Sequence, residues 1–132
     1  IIGNSTNDGL ANARDGFIRA FDLRSGALRW EWSPIPADKA QLTGAANVWS
    51  TISVDPARNL VFVPTTSPST DYYGGGRQFD IPMSNSIVAL DGATGQVKWH
   101  FQTVRHDLFD YDLVGHPLLV DIRRGNEVIP AA

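Results

Sequence analysis

The sequence predicts an all-β chain built from hairpins, and three observations carry that prediction. Helical periodicity is nearly absent. Gly and Pro, 12 and 8 of the 132 residues, punctuate the chain throughout. The short runs between them are rich in β-branched and aromatic residues, which suit a pleated, half-buried surface. Strands are expected at residues 1–4, 16–22, 27–32, 49–54, 60–64, 86–91, 96–102 and 117–122.

Each element has a local reason. Ile1-Ile2-Gly3-Asn4 reads like the inside of a strand. The runs 16–22 and 27–32 flank Asp22-Leu23-Arg24-Ser25-Gly26. There an Asp can bond the backbone two residues on and a Gly can take positive φ. Asp55-Pro56-Ala57-Arg58-Asn59 joins 49–54 to 60–64, and Asp91-Gly92-Ala93-Thr94-Gly95 joins 86–91 to 96–102 in the same manner. Two long stretches fit no strand: 33–47, with Pro34, Pro36 and Gly44, and 66–84, with Tyr72-Tyr73-Gly74-Gly75-Gly76-Arg77. Loops of that length are functional or are plain surface insertions.

Composition narrows the function classes. Hydrophobic residues at 42% and charged residues at 19% make a core-forming chain and not a disordered one. The net charge is −3, so no basic excess exists to neutralise phosphates, and nucleic acid is not expected as a partner. The chain has no Cys, which excludes disulfides, thiolate zinc sites, iron–sulfur clusters and a cysteine nucleophile, and leaves the compartment open. No apolar run approaches the ~20 residues of a membrane span. His100, His106 and His116 match no zinc spacing; His106 is expected to shape the loop that follows it. No Lys-Ser/Thr follows Gly74, Gly75 and Gly76, so that run reads as a flexible loop and not a phosphate cradle.

The chain repeats itself. The pattern Ala-x-Asp-x-x-Ser/Thr-Gly-x-aliphatic-basic-Trp runs from Ala20 to Trp30 and again, 69 positions later, from Ala89 to Trp99. An Asp–Gly hairpin alone explains the turn but not a Trp at the same offset in both copies. Units with two apolar faces must stack radially, as in a β-propeller. About two four-stranded blades fit in 132 residues, so the chain is expected to be a segment of a longer protein: residues 1–32 the end of one blade, 48–102 a complete blade, and 103–132 a site loop and the start of the next.

This repeat resembles the tryptophan-docking motif of the pyrroloquinoline quinone (PQQ)-dependent dehydrogenases, which are eight-bladed propellers. Trp99-His100-Phe101-Gln102-Thr103-Val104-Arg105-His106-Asp107-Leu108-Phe109-Asp110-Tyr111-Asp112 resembles a far more specific segment of that family, W-x-[YF]-Q-T-x-x-H-D-x-W-D. Asn47-Val48-Trp49 and Ser5-Thr6-Asn7-Asp8 are similar to two further landmarks. The likeness covers essentially the whole chain and is strongest to the membrane-bound branch that oxidises glucose, polyols or quinate.

The resemblance assigns roles that the residues alone do not. By themselves, Asp107, Asp110 and Asp112 read as an acidic loop. The family pattern makes Asp110 the general base, which takes the alcohol proton while hydride leaves for the quinone. It makes Asp8 a ligand to calcium or magnesium, with Asp110 beside it. It puts Ser67 where relatives commonly carry an Asn ligand, a neutral hydroxyl in place of an amide oxygen. It puts Trp49 under the PQQ ring system, and Ser5 on a PQQ carboxylate. Trp30 and Trp99 are expected to pack between blades; Trp32 receives no role. Phe109 stands where the family usually has Trp. The resemblance further implies a sugar or polyol substrate and a quinone electron acceptor. It implies a periplasmic location, with or without an inner-membrane anchor supplied from outside this chain. A non-catalytic propeller scaffold for protein binding would carry the docking repeat too, but has no reason to hold Asp8, Trp49 and Asp110 together. The chain alone is expected to be inactive as a dehydrogenase and to self-associate through bare blade faces.

Overall fold

A computed structural model describes residues 1–11 and 13–132, and every regular element among them is a β-strand. β1 (Ile18–Phe21) pairs with β2 (Leu28–Trp32). β3 (Ser53–Asp55), β4 (Leu60–Pro64), β5 (Ser86–Asp91) and β6 (Val97–Gln102) form a four-stranded meander in chain order. β7 (Val120–Arg124) and β8 (Glu127–Ala131) form a separate hairpin. All pairings are antiparallel, as hairpin connections require.

The two repeats fold into the same turn. Asp22 Oδ1 accepts hydrogen bonds from the backbone of Arg24 and Ser25 and from the Ser25 hydroxyl, at 3.1, 2.9 and 2.9 Å. Asp91 Oδ1 does the same with Ala93, Thr94 and the Thr94 hydroxyl, at 3.0, 3.0 and 3.1 Å. Gly26 and Gly95 close the turns at φ 72° and 73°, where a Cβ is strained. The first copy's Trp then lies on the second copy's turn. Trp30 Nε1 donates to Gly92 O at 3.0 Å, and a Cβ on Gly95 would sit 2.6 Å from the indole. The repeat is therefore a docking device, with the ring of one sheet covering the glycine of its neighbour. Trp99 meets no such turn among the described residues; it stays 40% exposed beside Phe62.

Between these two sheets lies the core: Ile18, Ala20 and Trp30 from the first against Val61, Val63, Val88 and Leu90 from the second, with Val48. β5 is buried almost throughout, whereas β6 is the outer strand and is exposed along its length.

Several boundaries differ from expectation. The strand expected at 1–4 is a single bridge, Ile2 to Arg19. Past it, Gly3 runs so close to Val48 that a Cβ would meet the Val48 carbonyl oxygen, and Asn47 holds the Asn4 carbonyl. The strand expected at 49–54 shortens to Ser53–Asp55, because Trp49 turns to the surface. The strand expected at 117–122 starts and ends later, and β8 follows it after a turn at Gly125, φ 62°. Charged Arg123, Arg124 and Glu127 hid that hairpin from a reading that looks for apolar runs.

Beyond the strand ends, four segments stay side by side. Thr66 N–H donates to Asn47 O, Asn85 N–H to Thr66 O, and Thr103 N–H to Asn85 O, at 3.0, 3.0 and 2.8 Å. This irregular extension sends three chain segments, after Asn47, Thr66 and Thr103, out at one end of the meander.

Candidate active site

At that end the structure gathers carboxylates. One oxygen each from Asp8, Asp110 and Asp112 lies within 4.8 Å of the others. The segment carrying Asp8 is tied to the sheet by Thr6, whose hydroxyl donates to Asn47 Oδ1 at 3.1 Å. Asp110 and Asp112 come from the loop after β6, two residues apart.

Asp107 holds that loop. It is buried and accepts from Ser67 Oγ at 2.5 Å, Asn85 Nδ2 at 2.9 Å, Phe109 N–H at 2.9 Å and Tyr111 N–H at 2.7 Å. Burial works to raise its pKa, but these four donors outweigh it and hold the carboxyl below its ordinary value. With both oxygens engaged, Asp107 is a structural pin and is not free to take a proton. Arg77, also buried, donates to the Asp107 carbonyl. Thus pinned, Asp110 sits at φ 60°, in the left-handed region that Asp tolerates better than most residues and that recurs at functional sites. Its Oδ2 accepts from the Tyr72 hydroxyl at 3.1 Å; its Oδ1 is buried without a partner.

Trp49 is half exposed, and its Nε1–H donates to Asp112 Oδ2 at 2.8 Å, while Ser67 N–H donates to Asp112 Oδ1 at 2.9 Å. Burial, the largest influence, raises the Asp112 pKa. A fourth carboxyl, Asp71, is buried with an unpartnered Oδ1, and its pKa is pushed up to about 7, first by burial and then by the charges of Asp8, Asp110 and Asp112. Like charges gathered this closely and unbalanced by a cation resist full ionisation.

Of the residues expected at the site, the structure brings Asp8, Asp110, Trp49 and Ser67 to one place. Ser67 reaches the cluster by its backbone; its hydroxyl already donates to Asp107 and accepts from Asn85 Nδ2 at 3.1 Å, which leaves one lone pair. Ser5 is exposed and lines a groove with Asn4, Thr6, Arg14 and Arg19 whose walls do not include Asp8, Trp49 or Asp110. His106 faces Asp80 and flanks Gly74, so its contacts fall on the 66–84 stretch and not on the loop that follows it. The sequence reading missed Asp71 and Tyr72, and gave Asp112 no role. An Asp-x-Asp spacing is a weak signal for Asp112; nothing local marks the other two.

Comparison with known proteins fixes the class. The whole chain, residues 1–132, matches the family described as glucose/ethanol/alcohol dehydrogenase, beta-propeller domain. It is 37% identical over 131 residues to the quinate/shikimate dehydrogenase (quinone) of Acinetobacter baylyi, covering 92% of this chain and 16% of that protein. It is 34% identical over 139 residues to the quinoprotein glucose dehydrogenase of Escherichia coli, covering 98% and 18%. Among solved structures, quinohemoprotein alcohol dehydrogenase from Comamonas testosteroni superposes with a TM-score of 0.77 at 25% identity, over 98% of this chain and 22% of that one. A europium-containing methanol dehydrogenase shares the fold, with a TM-score of 0.79 at 24% identity, over 92% and 26%. The stacked antiparallel sheets with their docked tryptophan, Trp30, are thus part of a β-propeller. The chain belongs to the PQQ-dependent quinoprotein dehydrogenase family, and it spans less than a fifth of the length of these two curated relatives.

The residues present fit the groups this family implies. A hard cation takes several oxygen donors, and three clustered carboxylates with a buried, unpartnered Asp110 Oδ1 supply such a set. The indole of Trp49, half exposed beside them, offers a flat surface on which an aromatic ring could stack.

Proposed function

We propose that this chain is one wall of the active site of a PQQ- and calcium-dependent dehydrogenase that oxidises an alcohol, polyol or glucose-like sugar, with Asp110 as general base. The observation that carries this reading is the convergence of Asp8, Asp110 and Asp112 next to the exposed indole of Trp49. PQQ, when bound, would supply the two-electron acceptor for the carbinol hydride, and a divalent cation held beside it would polarise it. This chain's residues do the rest. Asp8 and Asp110, with the remaining lone pair of Ser67 and with Asp112 alongside, hold the cation. Trp49 would support the cofactor ring. Asp110 receives the substrate hydroxyl proton as the hydride leaves, so the alcohol loses two electrons and one proton passes to the carboxylate. Asp107, saturated by four donors, keeps the loop in shape.

In this reading the propeller has eight blades, with residues 1–32, 48–102 and 103–132 in three successive ones. The substrate is a small molecule, the electrons pass on to a quinone, and the protein works in the periplasm. The experiment is Asp110→Asn in the full-length holoenzyme. Asn keeps the shape but cannot take the proton, so kcat should fall about 10²–10⁴-fold with PQQ still bound. A PQQ-loaded variant with near-normal kcat overturns the assignment.

A further inference from the structure

Asp110 has two oxygens in different surroundings. Oδ1 is buried and unpartnered; Oδ2 meets the hydroxyl of Tyr72 at 3.1 Å. Tyr72 is 72% exposed, so its ring is not held there by core packing. Its place is set instead by the residues around it. Asp71, the residue before, is buried against the carboxylate cluster. Thr70 Oγ1 donates to the Tyr73 carbonyl at 2.7 Å, and Arg77 N–H donates to Gly74 O at 3.0 Å, which together close the loop. Asp110 itself lies at positive φ, on a loop with no regular backbone ladder, so its carboxylate needs an external partner to fix its rotation.

Resting on the reading of Asp110 as the base, we propose that Tyr72 is a positioning residue for it: the phenol hydroxyl fixes the carboxylate so that Oδ1 turns inward to the carboxylate cluster and Oδ2 stays at the exposed side to take the alcohol proton. A hydroxyl donor occupies one lone pair of Oδ2 and leaves the other for the substrate.

The test is a kinetic cycle in the PQQ-loaded, full-length enzyme, together with a spectroscopic measurement on the cofactor-free protein. Tyr72→Phe removes the hydroxyl and keeps the ring. It should lower kcat about tenfold, the factor that one lost hydrogen bond to a charged group corresponds to, with KM changed less than about twofold. In the Asp110→Asn background the same change should cost almost nothing, because Tyr72 acts only through Asp110. A purely structural role would lower both backgrounds equally. In cofactor-free protein with ¹³Cζ-labelled tyrosine at neutral pH, the Tyr72 resonance should move on Asp110→Asn while Tyr73 stays in place. An unimpaired Tyr72→Phe enzyme, equal losses in both backgrounds, or an unmoved resonance each overturn the role of Tyr72. If Asp110→Asn keeps near-normal kcat, the base assignment itself falls, and that result is distinct from a failure of Tyr72 alone.

Discussion

The docking repeat contains its own control, because Gly26 and Gly95 occupy the same turn at φ 72° and 73° and differ in what lies above them. Nothing lies within 4 Å of a Cβ built on Gly26; a Cβ on Gly95 would stand 2.6 Å from the Trp30 ring. Gly26→Ala should therefore cost only the left-handed backbone penalty, about 1–2 kcal/mol. Gly95→Ala adds displacement of the indole. That loses the Trp30 Nε1 bond to Gly92 O, about 1 kcal/mol, and part of the burial of a ring now 8% exposed, about 1–2 kcal/mol more. The gap between the two variants should then be about 2–3 kcal/mol, or roughly 1 M in the urea midpoint. Urea unfolding followed by tryptophan fluorescence reads it, and Gly95→Ala should also red-shift the folded emission. In a Trp30→Ala background the excess cost of Gly95→Ala should vanish. Equal costs for the two glycines, or an excess that survives removal of Trp30, would refute the docking argument.

Three other expectations are open to measurement. Asp107→Ala leaves four donors without their acceptor, and at about 1–3 kcal/mol for each that stays buried it should cost roughly 3–6 kcal/mol; an unfolding free energy within about 1 kcal/mol of wild type in urea contradicts its role as a pin. Asp71, raised from 3.8 to about 7, binds its proton more tightly folded than unfolded, so in chelator its contribution makes the protein less stable as pH rises from about 4 to about 7; Asp71→Asn, which stays neutral, should remove that slope, and an unchanged slope counts against it. The exposed outer strand β6, with Phe101 65% exposed beside Trp99, should drive self-association of the isolated chain, and a concentration-independent monomer in sedimentation speaks against that.

The fold was legible because its signals are local. Asp22 and Asp91 organise their turns through atoms two and three residues away, and the apolar runs of 60–64 and 86–91 lie within each strand. The errors fall where long-range contacts set the backbone. Ile2 makes one bridge because Gly3 is drawn onto Val48, and Trp49 leaves its strand for the site. Asp8, Trp49, Ser67 and Asp110 were singled out through the pattern of a family, not through their chemistry. From the sequence alone they are a turn residue, a core aromatic, a loop serine and one of three aspartates.

Symmetry explains why the repeat could reveal the fold and not the site. At the 69-residue offset that maps Gly26 to Gly95 and Trp30 to Trp99, the residue corresponding to Asp110 is Gln41, to Asp8 Arg77, and to Trp49 Leu118. The docking positions recur because every sheet must cover its neighbour in the same way. The site positions do not recur, because a cluster of carboxylates repeated in each sheet would accumulate charge with nothing to balance it. Asp71 shows the cost of even one such cluster, its carboxyl driven to about 7 among Asp8, Asp110 and Asp112. The chain concentrates that repulsion at one end of one sheet. Asp107, Arg77 and the hydrogen-bonded row Asn47–Thr66–Asn85–Thr103 hold the backbone that brings those carboxylates together there.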